Sequence, residues 1–220
     1  MKLHGEYASP FVARVVLFAR LKGFDLAAIP LPEGGTKDPA FLAMNPIGRM
    51  PVLEVDGSAL PESEVICDYL EDSVAGAGGF PADARSRATS RLVSRLHDLY
   101  VIPQILVLFR SSTMALRDQS AIDTAKQELA AAYSHIEHFM SASPYAAGAV
   151  PGLADCTLLP SFEFMRRTIF RDFDIVDPTA GQGKLGAWWK SIVNGPVTGP
   201  LLAEYSAVCD AFLAARARDH

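Results

Sequence analysis

The chain has 220 residues, 50% of them hydrophobic and 20% charged, with 20 Lys+Arg against 25 Asp+Glu. That composition suits a folded globular chain with one large domain or two small ones. A net charge of −5 excludes a broad cationic footprint, so neither nucleic acid nor an anionic membrane is expected as a partner.

No uncharged apolar run reaches about 18 residues, and the first residues lack the apolar stretch of a signal peptide. A cytoplasmic location is expected. Cys67, Cys156 and Cys209 lie far apart in apolar helical patterns, which predicts buried reduced thiols rather than a disulfide framework.

In chain order, Lys2 to Gly5 reads as a short strand. Ser9-Pro10 is a helix start, an N-cap followed by proline at the first helical position. Phe11, Val12, Val15, Val16, Phe18 and Ala19 form the apolar face that follows, and Gly23 ends it. Leu26 to Leu31 is apolar and ends between two prolines, so it reads as a strand parallel to the first across a helical crossover. Val52 to Val55 and Ser58 to Leu60 flank Asp56-Gly57, the signature of an antiparallel hairpin.

Ser63 then reads as the N-cap of a helix carrying Val65, Ile66, Tyr69 and Leu70 and ending near Asp72. The order β-α-β, β-β-α is that of a thioredoxin-like domain, here residues 1–74. Residues 75–82, with three glycines and a proline, read as a linker. From 83 to 220 only helical periodicity remains, over roughly 83–110, 119–141, 154–170, 184–193 and 200–217, which predicts an all-α domain.

Three places have residue types suited to chemistry. Met50-Pro51-Val52 is either a trans proline marking a strand start or a cis proline that leaves the Met50 backbone as a free edge for an extended peptide. Pro61-Glu62-Ser63-Glu64 is either a capped helix start or a site where Ser63 takes a carboxylate and Glu62 an ammonium. An α-amino acid head group satisfies both. Ser9 is either a cap or a hydroxyl that stabilises an anion without a general base.

Taken together, Ser9-Pro10-Phe11-x-x-Arg14, Asn45-Pro46-Ile47-Gly48-Arg49-Met50-Pro51-Val52-Leu53 and Pro61-Glu62-Ser63-Glu64-Val65-Ile66 resemble the cytosolic glutathione S-transferases with a serine-type active site. The resemblance spans the chain. It implies an α/β thioredoxin-like N-terminal domain with a mixed four-stranded sheet, and an all-α C-terminal domain. It also implies glutathione as cosubstrate, a small hydrophobic electrophile as second substrate, and a homodimer. Carried over by position, Met50 beside a cis Pro51 would pair with the cysteinyl residue of glutathione, Glu62 and Ser63 would hold the γ-glutamyl end, and Arg49 would approach the glycyl carboxylate. Ser9 would face the sulfur as the catalytic residue, and Phe11, His97 and Tyr100 would border the electrophile pocket, although His97 taken alone reads rather as a satisfied structural histidine than as an acid or base.

Serine in place of the cysteine that some family members use argues for conjugation, glutathione-dependent isomerisation or ether cleavage rather than disulfide chemistry. Tyr7, two residues earlier, is a rival for the sulfur-facing role. Rival functions are a non-catalytic glutathione- or protein-binding module of the same fold and a thiol oxidoreductase using one of the three cysteines. Gly152 stands where the family has a capping Ser or Thr, three residues before Asp155, which is expected to be structural.

Arg87, Arg91 and Arg95, with Arg85 nearby, read as a solvated helix face or a subunit contact. Phe109, Met114, Phe162, Met165 and Phe170 read mostly as core. No metal-ligand spacing or phosphate loop is found, so neither a metal nor a nucleotide is expected.

Overall fold

The structure, a computed structural model, describes the chain apart from residues 77, 113–116, 142, 143, 217, 219 and 220. Strand β1 (Lys2–His4), helix α1 (Pro10–Leu21) and strand β2 (Ala28–Ile29) form the parallel βαβ unit. A short helix α2 (Pro39–Met44) follows, started by the Asp38 carboxylate, which accepts from the Ala40 N–H at 2.8 Å. The sequence reading missed α2, although Asp-Pro followed by Phe41 is a cap-plus-proline signal. At six residues the helix is too short to show periodicity.

Strands β3 (Val52–Val55) and β4 (Ser58–Pro61) make the antiparallel hairpin, in a sheet of order β2-β1-β3-β4. Asp56 and Gly57 both take positive φ, 48° and 79°, as a two-residue turn matching strand twist requires. Helix α3 (Ser63–Ser73) closes this domain.

The helical domain comprises α4 (Ala84–Leu96), α5 (Ile102–Ser111), α6 (Gln119–Phe139), α7 (Leu153–Arg167), α8 (Ile169–Asp172), α9 (Lys184–Asn194) and α10 (Thr198–Arg216). One π-helical turn, His97–Val101, joins α4 to α5. It lies just before Pro103, which has no N–H to return to the preceding turn. Helical residues 84–111 are long and apolar enough by composition to cross a bilayer. Their inward side nevertheless packs on α6 and α7.

Helix α1 is the element the two domains share. Residues Val12 to Ala19 are all buried, because α3 covers one side and α7 another; a helix covered on every side must be apolar all round. Val12, Val15, Val16, Leu17 and Phe18 each contribute about 1.5–3 kcal/mol of burial. Arg14 breaks that run at 1% exposure, and a buried guanidinium needs a partner.

The linker-like segment packs tightly wherever it is described. Phe80 meets Phe18 edge-on at 5.7 Å, and the Gly79 carbonyl accepts from the Leu153 N–H at 2.9 Å. Gly79 therefore caps α7 from a distance, which explains Gly152. A Cβ added at residue 152 would lie 2.8 Å from the Gly79 oxygen. Asp155 is buried at the same helix start, accepting from the Ala146 and Gly152 N–H groups and the Trp188 indole.

Candidate active site

A cleft opens between α1, the β3 entrance and the start of α3, lined by Phe11, Asn45, Arg49, Met50, Pro51, Pro61, Glu62 and Ser63. Five of the six positions expected from the resemblance to meet glutathione, all but Ser9, are thus brought together at one place. Two local devices shape it. Buried Asn45 donates to the Arg49 carbonyl at 2.7 Å and accepts from the Ile47 N–H, while Gly48 turns the chain at φ 64°. Asn45 stood in the quoted motif without a role, since only the closed loop shows what its amide does.

The Met50–Pro51 peptide bond is cis. Among the described residues the Met50 backbone N–H and C=O have no hydrogen-bond partner, so an extended backbone has an open edge to pair with.

At the start of α3 the structure corrects the capping reading. Glu62 is the N-cap, in the left-handed region at φ 71°, with no side-chain cap bond, and Ser63 is the first helical residue. Exposed Glu62 is left with its carboxylate on the cleft. The Ser63 oxygen accepts from Arg14 Nη1 at 3.0 Å. With that lone pair occupied, the hydroxyl proton is available to donate into the cleft.

Arg14 also forks onto Asp98 at 2.8 and 2.5 Å. Asp98 accepts from His97 Nδ1 at 2.9 Å, and His97 Nε2 meets the Ser161 hydroxyl at 2.7 Å. Because a carboxylate only accepts, Nδ1 carries the proton and Nε2 accepts from Ser161. Burial alone would raise the Asp98 carboxyl, but hydrogen bonds from His97 and Arg14 reverse this and hold it well below the usual range. Burial lowers the His97 pKa despite Asp98, so the ring is neutral at pH 7.

Two of the three residues expected at the electrophile pocket do not line this cleft. His97 is 1% exposed with both ring nitrogens occupied, and so does not border the cleft. Tyr100 is 48% exposed, its ring meets His135 on α6, and it is not among the residues lining the cleft. Phe11 does line the cleft. Phe109 is also not core, being 38% exposed with its ring beside Phe164. Phe162, Met165 and Phe170 are buried, and Met114 lies outside the described residues.

Ser9 occupies the N-cap position of α1, two residues before Phe11, but makes no side-chain cap bond. Its hydroxyl has no partner among the described residues. Tyr7 turns the other way, its ring 5.9 Å from that of Tyr205 on α10 and its hydroxyl buried. Burial, with the Glu204 charge adding, pushes its pKa up. All three cysteines are buried. Burial pushes Cys67 and Cys156 well above the ordinary thiol range and Cys209 up to about 11. None has the thiolate character that exchange requires.

In the arginine run Arg85, Arg91 and Arg95 are exposed, as a solvated face requires, and Arg87 is half-buried. Arg91 bonds Asp68 and stacks over Phe80 at 4.4 Å, and Arg87 donates to the Pro81 carbonyl.

Residues 3–78 match the family model described as Glutathione S-transferase, N-terminal domain, and residues 96–196 match Glutathione S-transferase, C-terminal domain. A maleylacetoacetate isomerase from Pseudomonas aeruginosa is 33% identical over 73% of this chain and 79% of its own length. The chain belongs to the glutathione S-transferase family. Glutathione S-transferase F9 of Arabidopsis thaliana is 27% identical over 94% of this chain and 98% of that protein. The crystal structure of glutathione transferase F7 from Populus trichocarpa superposes with a TM-score of 0.74 at 26% identity, covering 93% of this chain and 98% of that one. The protein is a glutathione-dependent enzyme, and relatives named as transferases and as an isomerase favour catalysis over a non-catalytic module.

Proposed function

We propose that this glutathione transferase holds glutathione along the α1–β3–α3 cleft and uses Ser9 to keep its sulfur as thiolate for attack on a small hydrophobic electrophile. The observation that carries this reading is the convergence of the unpaired Met50 backbone, the free Glu62 carboxylate and the Arg14-oriented Ser63 hydroxyl on one cleft. Met50 pairs with the cysteinyl residue, Glu62 takes the γ-glutamyl ammonium, Ser63 donates to the γ-glutamyl carboxylate, and Arg49 approaches the glycyl carboxylate.

A thiol of pKa about 8.5 is only about 3% ionised at pH 7, and lowering it by two units needs about 2.7 kcal/mol of preference for the anion. One hydrogen bond to a charged group contributes about 1.5–3 kcal/mol, and the α1 N-terminus adds about 0.3–1 kcal/mol. Ser9 therefore suffices without a base. Addition of the thiolate to an electrophilic carbon is the first step of both conjugation and glutathione-dependent isomerisation, so one site serves either outcome.

The enzyme acts in the cytosol, in keeping with three cysteines kept as thiols. It acts as a homodimer, for which exposed Val65, Leu92 and Leu99 on α3, α4 and the π turn offer apolar surface.

Substitution Ser9→Ala tests the reading. Glutathione affinity should stay within about twofold while turnover falls at least about tenfold, the equivalent of one lost charged hydrogen bond. Sedimentation of the same sample should give twice the chain mass. Unchanged turnover would remove Ser9 from the mechanism, and a monomer with full activity would remove the dimer.

A further inference from the structure

We propose that Tyr205 on α10 is a positioning residue for Ser9, so that the C-terminal helix sets the aim of the sulfur-facing hydroxyl. The inference rests on the Ser9 reading above. Tyr205 is fully buried, and its hydroxyl donates to the Ala8 carbonyl at 2.9 Å, across 197 positions of sequence. Ala8 immediately precedes Ser9, so this carbonyl belongs to the peptide plane that ends in the Ser9 nitrogen. The other end of the same plane is also held, since the Ser9 N–H donates to the Glu6 carbonyl at 2.9 Å.

Fixing that plane has a definite consequence. The torsion φ of Ser9, −67° in the structure, fixes where Cβ stands relative to the Ala8–Ser9 plane, and with it the cone on which Oγ lies. With no bond of its own side chain to a neighbour, Ser9 has only this backbone placement to set where that cone of Oγ positions stands against the cleft. A hydrogen bond weakens steeply once its angle falls below about 120°, so a rotated plane would leave Ser9 present but misaimed.

Helix α10 is well placed to hold the plane. Glu204 pairs with Arg20 on α1, and the Tyr205 ring packs at 49° to that of Tyr7 in the same turn. The helix therefore grips α1 at its far end and the turn at its near end.

A buried tyrosine satisfied by a carbonyl also has a purely structural use, which affects stability without affecting the sulfur. The distinguishing measurement is the thiol pKa of bound glutathione, read from thiolate absorbance in the wild-type protein, Tyr205→Phe, Ser9→Ala and the double variant. Tyr205→Phe should raise that pKa by about half to one unit, a three- to tenfold loss of thiolate below the pKa. Glutathione affinity should stay within about twofold, because the cleft contacts are untouched. In the Ser9→Ala background the Tyr205 change should add nothing, since two residues acting as one unit are non-additive.

Two replacements of equal size control for packing and folding. At position 205, 4-methylphenylalanine fills the hydroxyl's place without a donor and should behave like phenylalanine, whereas 4-aminophenylalanine restores a donor and should return the pKa most of the way. An unmoved pKa in Tyr205→Phe and in the 4-methyl variant, with Ser9→Ala still shifted, would overturn this inference alone. So would an equal shift with and without Ser9. An unmoved pKa in Ser9→Ala would overturn the Ser9 reading and this inference with it.

Discussion

Ser9 and Ser63 each stand where a helix begins, and each reads in sequence as an N-cap. Neither hydroxyl caps. Ser9 makes no side-chain bond to its helix, and Ser63 accepts from Arg14 one position inside α3. In both cases the residue type that favours a helix start also puts an uncommitted O–H at the positive end of that helix, where an anion is favoured. The price is seen at Arg14, a charge buried inside α1 that is stable only through Asp98. Removing one member of a buried pair strands the other, so Arg14→Met should lower stability by about 3–5 kcal/mol in urea denaturation and weaken glutathione binding. Adding Asp98→Leu should recover part of the stability but none of the binding, because Ser63 still lacks the donor that orients it. A double variant less stable than Arg14→Met would contradict this account.

At the scale of elements, the start of α7 separates general propensity from local geometry. By propensity, Gly152→Ser restores a better N-cap and should gain a few tenths of a kcal/mol. The new Cβ would instead lie 2.8 Å from the Gly79 carbonyl, a backbone atom held by its bond to the Leu153 N–H. The expected outcome is therefore a loss of about 1–3 kcal/mol in the urea midpoint analysis, the range for overpacking. A gain would show that the Gly79 segment yields.

Sequence periodicity was otherwise a sound guide to the elements. The βαβ unit, the Asp56-Gly57 hairpin and the helices of the second half all appear near their expected ranges. The helices α4 and α5 read as one because the π turn at His97–Val101 preserves the apolar stripe while breaking the hydrogen-bond register.

For the whole molecule, the contact between domains is both apolar and ionic. Helix α1 joins the apolar cores, and the chain Ser63–Arg14–Asp98–His97–Ser161 crosses between them. That chain gives stability a pH dependence of definite sign. The folded-state pKa values of His97 and Asp98 both lie below their ordinary values. In such a window the unfolded chain binds more protons, so stability rises with pH. Its His97 part is complete above about pH 6.5 and is lost as pH falls through the folded pKa; the Asp98 part goes below about pH 3.9. Urea midpoints should therefore drop between pH 7 and pH 5, and His97→Gln should flatten that slope even if it lowers the plateau. An unchanged slope would show that the neutral buried ring is not the group being titrated.

Pattern and composition were enough for the fold class and for most of the elements in order, α2 and the α4–α5 break excepted. These depend on short-range rules, the spacing of apolar residues, turn chemistry and caps, whose signals lie within a few positions of one another. What became of each polar group was decided in three dimensions. Arg14 stood in the sequence only as the last residue of a motif, and its ionic partner is 84 positions away. His97 was drawn out of the pocket by Asp98 and Ser161, Gly152 was explained by a carbonyl 73 residues earlier, and Tyr205 meets Ala8 from the far end of the chain. A buried polar group must be satisfied by whatever packing brings beside it, and sequence distance does not constrain which group that is.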